Sequence, residues 1–198
     1  ISEAFNDLGD SVRVGFDTIW NRDQFGVQVP GDRPAFPVPV NSDDGLFRGS
    51  NRDTFYNRLQ GAFASNGTPL RSALQRAGNY FSETGNAGPY GPLIDGEQLS
   101  CRQNFTILTT DGYWNSDGGL VIPNEDGTIG NDVVDFETNT TSNTYSPSRP
   151  FMDNQSNTLA DVAMRYWKTD LRPNLVNNVP ISTANKAFWQ HMVTFGIS

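Results

Sequence analysis

The sequence predicts an α/β fold in which a parallel sheet is flanked by helices. Predicted strands and helices follow in the order strand, helix, helix, strand, helix, strand, an alternation typical of parallel sheets. Residues 105–109 form a short, uncharged, β-branched run, as expected for a strand buried on both faces. Residues 70–81 place apolar side chains three and four positions apart, which indicates a helix with one apolar face.

The N-terminal part of the chain contains two further predicted helices and a strand. Residues 1–8 are typical of the last turns of a helix, and residues 12–20 predict a strand. Residues 21–50 are rich in proline, glycine and aspartate and lack a clean period, so they predict a long irregular insertion. Residues 51–63 predict a helix with apolar side chains at four-residue spacing: Phe55, Leu59 and Phe63.

The helix over residues 70–81 is preceded by two residues that favour a helix N-terminus. Thr68 is predicted as the N-cap and Pro69 as the first helical residue. Capping is the common role of a threonine at this position. The alternative is that its hydroxyl faces a metal ion from a loop beside Asp111.

The strand over residues 105–109 is followed by Asp111 and Gly112. Glycine allows the backbone to turn sharply, and the carboxylate is left at the C-terminal edge of the strand. Ligands and ions bind at this edge in open α/β sheets. Asp111 is therefore a candidate ligand for Mg²⁺ or Ca²⁺, which prefer oxygen. The dipeptide is equally compatible with a carboxylate that only caps the next turn.

The C-terminal half begins with the most polar part of the chain. Residues 116–157 predict an irregular insertion rather than a second core, and the acidic stretch 124–132 within it predicts a solvated loop, because it lacks the ligand spacing of an EF-hand. A helix is predicted from about residue 158 to 170, with Asp161 as a capping or dipole-stabilising group. Residues 191–197 predict the last strand.

The length, net charge and hydropathy of the chain limit the kinds of molecule that it is expected to bind. The chain has 198 residues, which predicts one domain over 1–198, and its net charge is −8. That charge disfavours nucleic acid and anionic membrane surfaces. No run approaches the roughly 20 apolar residues of a membrane helix, so membrane insertion is not expected.

Two reactive side chains occur once each. We expect Cys101, which precedes the strand at 105–109, to be a buried thiol; the alternative is a disulfide with a cysteine outside this segment. His191 has no second histidine and no recognisable nucleophile motif beside it, so catalysis by His191 is not expected. The sequence therefore predicts a protein that is not an enzyme.

Several of these segments resemble known proteins. The segments around Thr68 and Asp111 resemble the von Willebrand factor A fold, in which a Gly-Thr-Pro-Leu loop and a Thr-Asp-Gly strand end each give one ligand to a metal-ion-dependent adhesion site. Residues 101–115, 156–173 and 187–196 are similar to the PilC/PilY family of type IV pilus tip and biogenesis proteins. Asp-Gly-Tyr-Trp-Asn and Phe-Trp-Gln-His-Met-Val-Thr-Phe are the most specific blocks of this likeness.

The resemblance implies a von Willebrand factor A-like domain whose first central strand is missing from this segment. The Asp-x-Ser-x-Ser loop of the family does not occur in residues 1–198. The ion site would then retain Thr68 and Asp111, and we expect it to be incomplete or empty. We expect Tyr113 and Trp114, which lie beside this site in the sequence, to be core or loop-anchoring groups. The alternative is that they form part of a ligand surface.

The resemblance also implies a function. It implies a non-enzymatic adhesion and assembly module, extracellular at the pilus tip, and periplasmic or outer-membrane associated during assembly. Such a module acts in pilus biogenesis, surface attachment and surface sensing, with pilin subunits and a host or abiotic surface as partners. The alternatives are a structural domain that bears force without binding a ligand, and a metal-assisted hydrolase that uses Asp111.

Overall fold

The computed structural model describes residues 2–21, 45–62, 67–85, 88–91, 97–115 and 119–198. These residues form a mixed α/β structure with helices and a small parallel sheet. The elements in chain order are α1 (Ser2–Asn6), α2 (Gly49–Gln60), α3 (Leu70–Phe81), β1 (Asn104–Thr109), β2 (Asp132–Val134), β3 (Thr141–Asn143), α4 (Leu159–Lys168) and β4 (Met192–Ile197).

The parallel pairing of β1 with β4 confirms the predicted sheet type. Asn104 lies opposite Met192, and Thr109 lies opposite Ile197. The pairing continues one residue further, since the backbone N–H of Thr110 donates to the carbonyl of Ile197. Parallel strands need a long connection, and here it contains α4.

The two faces of this sheet differ in burial. Helices α3 and α4 pack on one face, where Leu74, Val162 and Met192 are buried together. The other face carries four apolar side chains that are each more than half exposed: Phe105, Ile107, Phe195 and Ile197. The prediction that β1 is buried on both faces is therefore wrong, because the described helices cover one side.

The polar segment 116–157 contributes to the core, apart from residues 116–118, which lie outside the described residues. Ile122 is fully buried beside Leu74 and Met192. Asp126 is also buried, and its Oδ1 accepts the backbone N–H of Asp153 at 3.1 Å. The expectation of a solvated loop over 124–132 is wrong for Asp126, where hydrogen bonds compensate for the loss of water, while the other residues of that stretch are partly or fully exposed.

Strands β2 and β3 form an antiparallel hairpin inside this segment. Val133 on β2 is buried in a second apolar cluster with Ala187 and Trp189, against which Trp167 of α4 packs. The indole N–H of Trp189 donates to the carbonyl of Trp167 at 2.9 Å. The hairpin is thereby fixed to the end of α4 and to the entry of β4.

Helix α4 begins with the capping interaction that the sequence predicts. Thr158 is the N-cap, and its hydroxyl accepts the backbone N–H of Asp161 at 3.0 Å. The Asp161 carboxylate accepts the backbone N–H of Thr158 at 2.9 Å and, with its other oxygen, that of Glu125. The predicted capping role of Asp161 is confirmed.

The N-terminal region forms an aromatic cluster instead of a third strand in the sheet. Phe47 and Phe55 are buried there, and Val14 and Phe16 pack against them. The prediction of a strand over 12–20 is wrong, because these side chains face the aromatic cluster of α2 rather than a neighbouring strand. Residues 22–44 of the predicted insertion at 21–50 lie outside the described residues. None of the helices in the described ranges combines the length and hydropathy that crossing a membrane requires.

Candidate functional site

Two loops meet at the carboxyl end of β1. The backbone N–H of Thr68 donates to Asn115 Oδ1 at 2.8 Å, and the backbone N–H of Asn115 donates to the carbonyl of Thr68 at 2.9 Å. Asp111 lies four residues before Asn115, just past the end of β1. The structure therefore brings the loops that carry both predicted metal ligands to the same edge of the sheet. We call this region, residues 67–69 and 110–115, the β1 edge.

Asp111 is exposed in the first turn of the β1 edge. The backbone N–H of Gly112 donates to Thr110 Oγ1 at 3.3 Å, so the hydroxyl of Thr110 takes the turn-capping role considered for Asp111. Gly112 has a φ of 103°, which favours glycine at this turn. The Asp111 carboxylate consequently faces solvent at the strand end.

Thr68 does not cap α3. The helix begins at Leu70 with Pro69 as its N-cap residue, and no side chain caps it. The predictions that Thr68 is the N-cap and Pro69 the first helical residue are wrong by one position. The carbonyl of Thr68 accepts the N–H groups of both Leu70 and Asn115, so its backbone belongs to the junction of the two loops.

Tyr113 and Trp114 lie on the surface of the β1 edge. Tyr113 is 87% exposed, so the expectation of core packing is wrong for this residue. Trp114 is half exposed, and the guanidinium carbon of Arg71 lies 4.6 Å from its ring centroid, which fits the loop-anchoring interpretation. Arg71 also donates to the carbonyl of Asn157 at 2.8 Å. The edge thus presents one ring that is anchored by Arg71 and one ring that is largely exposed.

The β1 edge contains only two predicted metal ligands. Thr68 and Asp111 supply two oxygens, whereas Mg²⁺ takes about six ligands. Within the described ranges, no three His, Cys, Asp or Glu side chains are grouped so that they could hold a metal ion. Both side chains carry oxygen, which a hard cation prefers, and a cation held by them would need further donors. Metal binding by Thr68 and Asp111 stays a prediction.

His191 is buried and held at both ring nitrogens. Nδ1 lies 2.7 Å from the carbonyl of Trp189, and Nε2 lies 2.8 Å from Asn185 Nδ2. These partners select the tautomer in which Nδ1 donates and Nε2 accepts. Burial lowers the pKa of His191, so the ring is neutral near pH 7. Its role in the structure is to connect β4 to the loop that contains Asn185.

Cys101 is a free and exposed thiol, which corrects the expectation of burial. The residue lies in the turn before β1, and the neighbouring Arg102 is held by the carbonyls of Pro89 and Gly91. The turn directs Arg102 inward, and Cys101 remains at the surface. A disulfide with a cysteine outside this segment stays a prediction.

Sequence reasoning missed one residue of the β1 edge, Asn115, and one residue beside it, Arg71. Asn115 was part of a motif, but its role as the link to Thr68 was not predicted. The sequence pattern likewise does not single out Arg71, which stacks on Trp114. The only sequence feature that hints at the link between Asn115 and Thr68 is the asparagine at the end of the Asp-Gly-Tyr-Trp-Asn motif, because asparagine side chains commonly hydrogen-bond to the backbone of loops.

Comparison with known proteins identifies relatives that share most of this chain. It is 36% identical over 168 residues to the type IV pilus biogenesis factor PilY1 of Pseudomonas aeruginosa strain PAK, covering 75% of the chain and 14% of that protein. The same factor from strain UCBPP-PA14 is 36% identical over 166 residues, covering 76% of the chain and 13% of that protein. The factor from strain PAO1 is 37% identical over 168 residues.

No family model matches the chain, and no solved structure matches it. The chain spans about a seventh of the length of the curated relatives it matches. Identity above 35% over three quarters of the chain agrees with the motif blocks at residues 101–115, 156–173 and 187–196. The chain belongs to the PilC/PilY family.

Proposed function

We propose that this chain is a binding and assembly module of a type IV pilus-associated protein, and that its contact surface is the β1 edge. Its relatives are named as type IV pilus biogenesis factors, and this name motivates the assignment to pilus biogenesis. The observation that carries the choice of surface is the pair of hydrogen bonds between Thr68 and Asn115. These bonds hold two polar loops and two exposed aromatic rings together beside a strand end.

The chemistry of the β1 edge suits contact with a partner protein. Trp114 and Tyr113 offer exposed aromatic area, which is enriched in protein interfaces. Asp111 and Thr68 offer oxygen ligands to a cation, and an acidic group of the partner would supply a further ligand. In this proposal the partners are pilin subunits, other components of the pilus tip, and a host or abiotic surface. The module then acts in adhesion and surface sensing outside the cell.

Calorimetric titration tests the metal part of the proposal. We expect the isolated chain 1–198 to show no micromolar binding of Mg²⁺ or Ca²⁺, because Thr68 and Asp111 supply two protein oxygens. Micromolar binding that disappears in Asp111→Ala would contradict the incompleteness of the site. Millimolar binding that disappears in the same variant would support a weak ion site at this edge.

Variants of the full-length protein test the choice of surface. We expect Asp111→Ala and Thr68→Val to lower surface attachment severalfold at wild-type protein levels, since each removes one oxygen from the β1 edge. Asp10→Ala is the matched control, because Asp10 is also exposed and lies outside the β1 edge. Unchanged attachment, pilus number and twitching in both edge variants would contradict the proposal and favour a structural, force-bearing domain.

A further inference from the structure

An open cleft lies between the β2–β3 hairpin and the chain that follows α4. Its volume is about 600 Å³, within the usual range of about 300–1,000 Å³ for ligand clefts. Three carboxylates line it: Asp132, Asp135 and Asp170. Its apolar wall includes Phe136 and Val176, which are 63% and 42% exposed. We call this feature the hairpin cleft.

All charged side chains that line the hairpin cleft are acidic. Its lining residues include no lysine, arginine or histidine. Asp135 accepts the backbone N–H groups of Glu137 and Thr138, and these bonds lower its pKa and keep the carboxylate charged. Asp170 is partly buried, and that burial raises its pKa, as expected for a carboxylate without a full counter-ion.

Arg172, whose charge acts on Asp170, does not neutralise the cleft. Arg172 is fully buried, its guanidinium donates to the carbonyl of Glu83 at 2.8 Å, and it stacks over the ring of Tyr90. Its charge lowers the pKa of Asp170 only as a minor contribution beside burial. The cleft therefore stays acidic.

Asn177 forms part of the wall of the hairpin cleft. Its Nδ2 donates to the carbonyl of Val134 at 3.3 Å. Its Oδ1 is buried in the cleft wall and has no hydrogen-bond donor among the described residues.

We propose that the hairpin cleft binds a basic segment of a partner protein, with a lysine or arginine side chain between Asp132, Asp135 and Asp170 and a flanking apolar side chain on Phe136. Lysine and arginine supply the positive charge and the N–H donors that carboxylates accept, and no basic side chain of the described residues lines the cleft. The exposed ring of Phe136 also suits contact with a cation. A single metal ion does not fit, because no three acidic side chains of the described residues are grouped to hold one. The surface uses residues outside the β1 edge, so this proposal stands apart from the function proposed above.

Titration of the isotope-labelled chain 1–198 with the peptide Lys-Leu-Lys-Leu-Lys-Leu tests this proposal by NMR at low salt. We expect shift changes confined to residues 132–139 and 170–177. The triple variant Asp132→Asn, Asp135→Asn, Asp170→Asn should weaken binding at least fivefold. Asparagine keeps an acceptor oxygen for the backbone donors, which favours an intact fold. Phe136→Ala changes a single surface side chain and should also weaken binding of the peptide. This variant replaces the triple variant in the test if the triple variant does not fold.

The matched control is Glu3→Gln, Asp7→Asn, Asp10→Asn, which changes the net charge equally at exposed positions outside the cleft. We expect this control to bind the peptide like the unaltered chain. Equal weakening in both triple variants would overturn the proposal, because binding would then follow net charge alone. Equally tight binding of Glu-Leu-Glu-Leu-Glu-Leu, or of spermine at the same sites, would overturn it as well.

Discussion

Asp17 shows how burial sets the chemistry of a single side chain. Burial raises its pKa from 3.8 to about 6, although Arg76 lies 3.2 Å away and acts to lower it. Arg76 divides its donors between this carboxylate and the carbonyls of Thr18 and Ile19. One oxygen of the carboxylate, Oδ1, is buried without a hydrogen-bond partner among the described residues, which accounts for the cost of its charged form.

The raised pKa of Asp17 predicts a specific pH dependence of stability. A carboxyl whose pKa is raised by folding stabilises the native state fully below pH 3.8, and this contribution is lost as the pH rises through about 6. We expect Asp17→Asn to gain stability relative to wild type between pH 4 and pH 7, by about 2–3 kcal/mol. Urea unfolding at several pH values measures this gain. A pH-independent difference between the two proteins would contradict the shifted pKa.

The exposure of Cys101 predicts its reactivity. We expect one thiol per native chain to react with maleimide at a rate close to that of the unfolded chain, because the turn before β1 leaves it accessible. Mass spectrometry of the native and urea-unfolded protein gives both rates. A native rate lower by a hundredfold or more would show a buried thiol.

The contact between α3 and α4 depends on one glycine. A Cβ added at Gly78 would lie 2.3 Å from the ring of Tyr166. Tyr166 is buried, and its hydroxyl donates to Asn79 Oδ1 at 2.6 Å, so the ring has little freedom to move. Glycine inside a helix costs about 0.5–1 kcal/mol relative to alanine, and the close packing of α4 explains its presence here.

Replacement of this glycine should therefore destabilise the chain. We expect Gly78→Ala to lower the free energy of unfolding by about 1–3 kcal/mol, because overpacking outweighs the gain in helix propensity. Gly85→Ala is the matched control, since a Cβ there meets no atom within 4 Å. The double variant Gly78→Ala, Tyr166→Leu should recover part of the loss. A stabilised Gly78→Ala variant would show that α3 and α4 are further apart.

At the scale of the whole molecule, the described residues leave one apolar face of the parallel sheet exposed. Phe105 and Phe195 stack across β1 and β4 with ring centroids 6.3 Å apart, and Ile107 and Ile197 extend the same face. Parallel sheets are usually covered on both faces. The apolar side chains of Phe105 and Ile107 on this open face belong to the run that predicted a fully buried strand.

The open face predicts binding of a hydrophobic dye. We expect the native chain 1–198 to enhance the fluorescence of ANS, and the variant Ile107→Thr, Phe195→Thr to lower this enhancement at least twofold, because both side chains are exposed apolar groups. The control Val134→Thr, Val176→Thr changes two exposed valines elsewhere. An equal loss in both variants would show that the dye does not bind this sheet face.

The sequence by itself determined the elements whose signals are local. The capping role of Asp161, the apolar stripe of α3 and the existence of strands β1 and β4 depend on neighbours within a few residues, and these predictions are confirmed. The motif blocks likewise identified the family, because they are stretches of contiguous sequence.

The tertiary structure decided what depends on distant partners. It decided that Ile122 and Asp126 are buried, that residues 12–20 join an aromatic cluster instead of a sheet, and that Cys101 is exposed. It also decided that Asn115 holds Thr68 beside the end of β1. Burial is a property of the whole packed chain, and contacts across tens of residues leave no periodic trace in the sequence, so neither could be derived from local pattern alone.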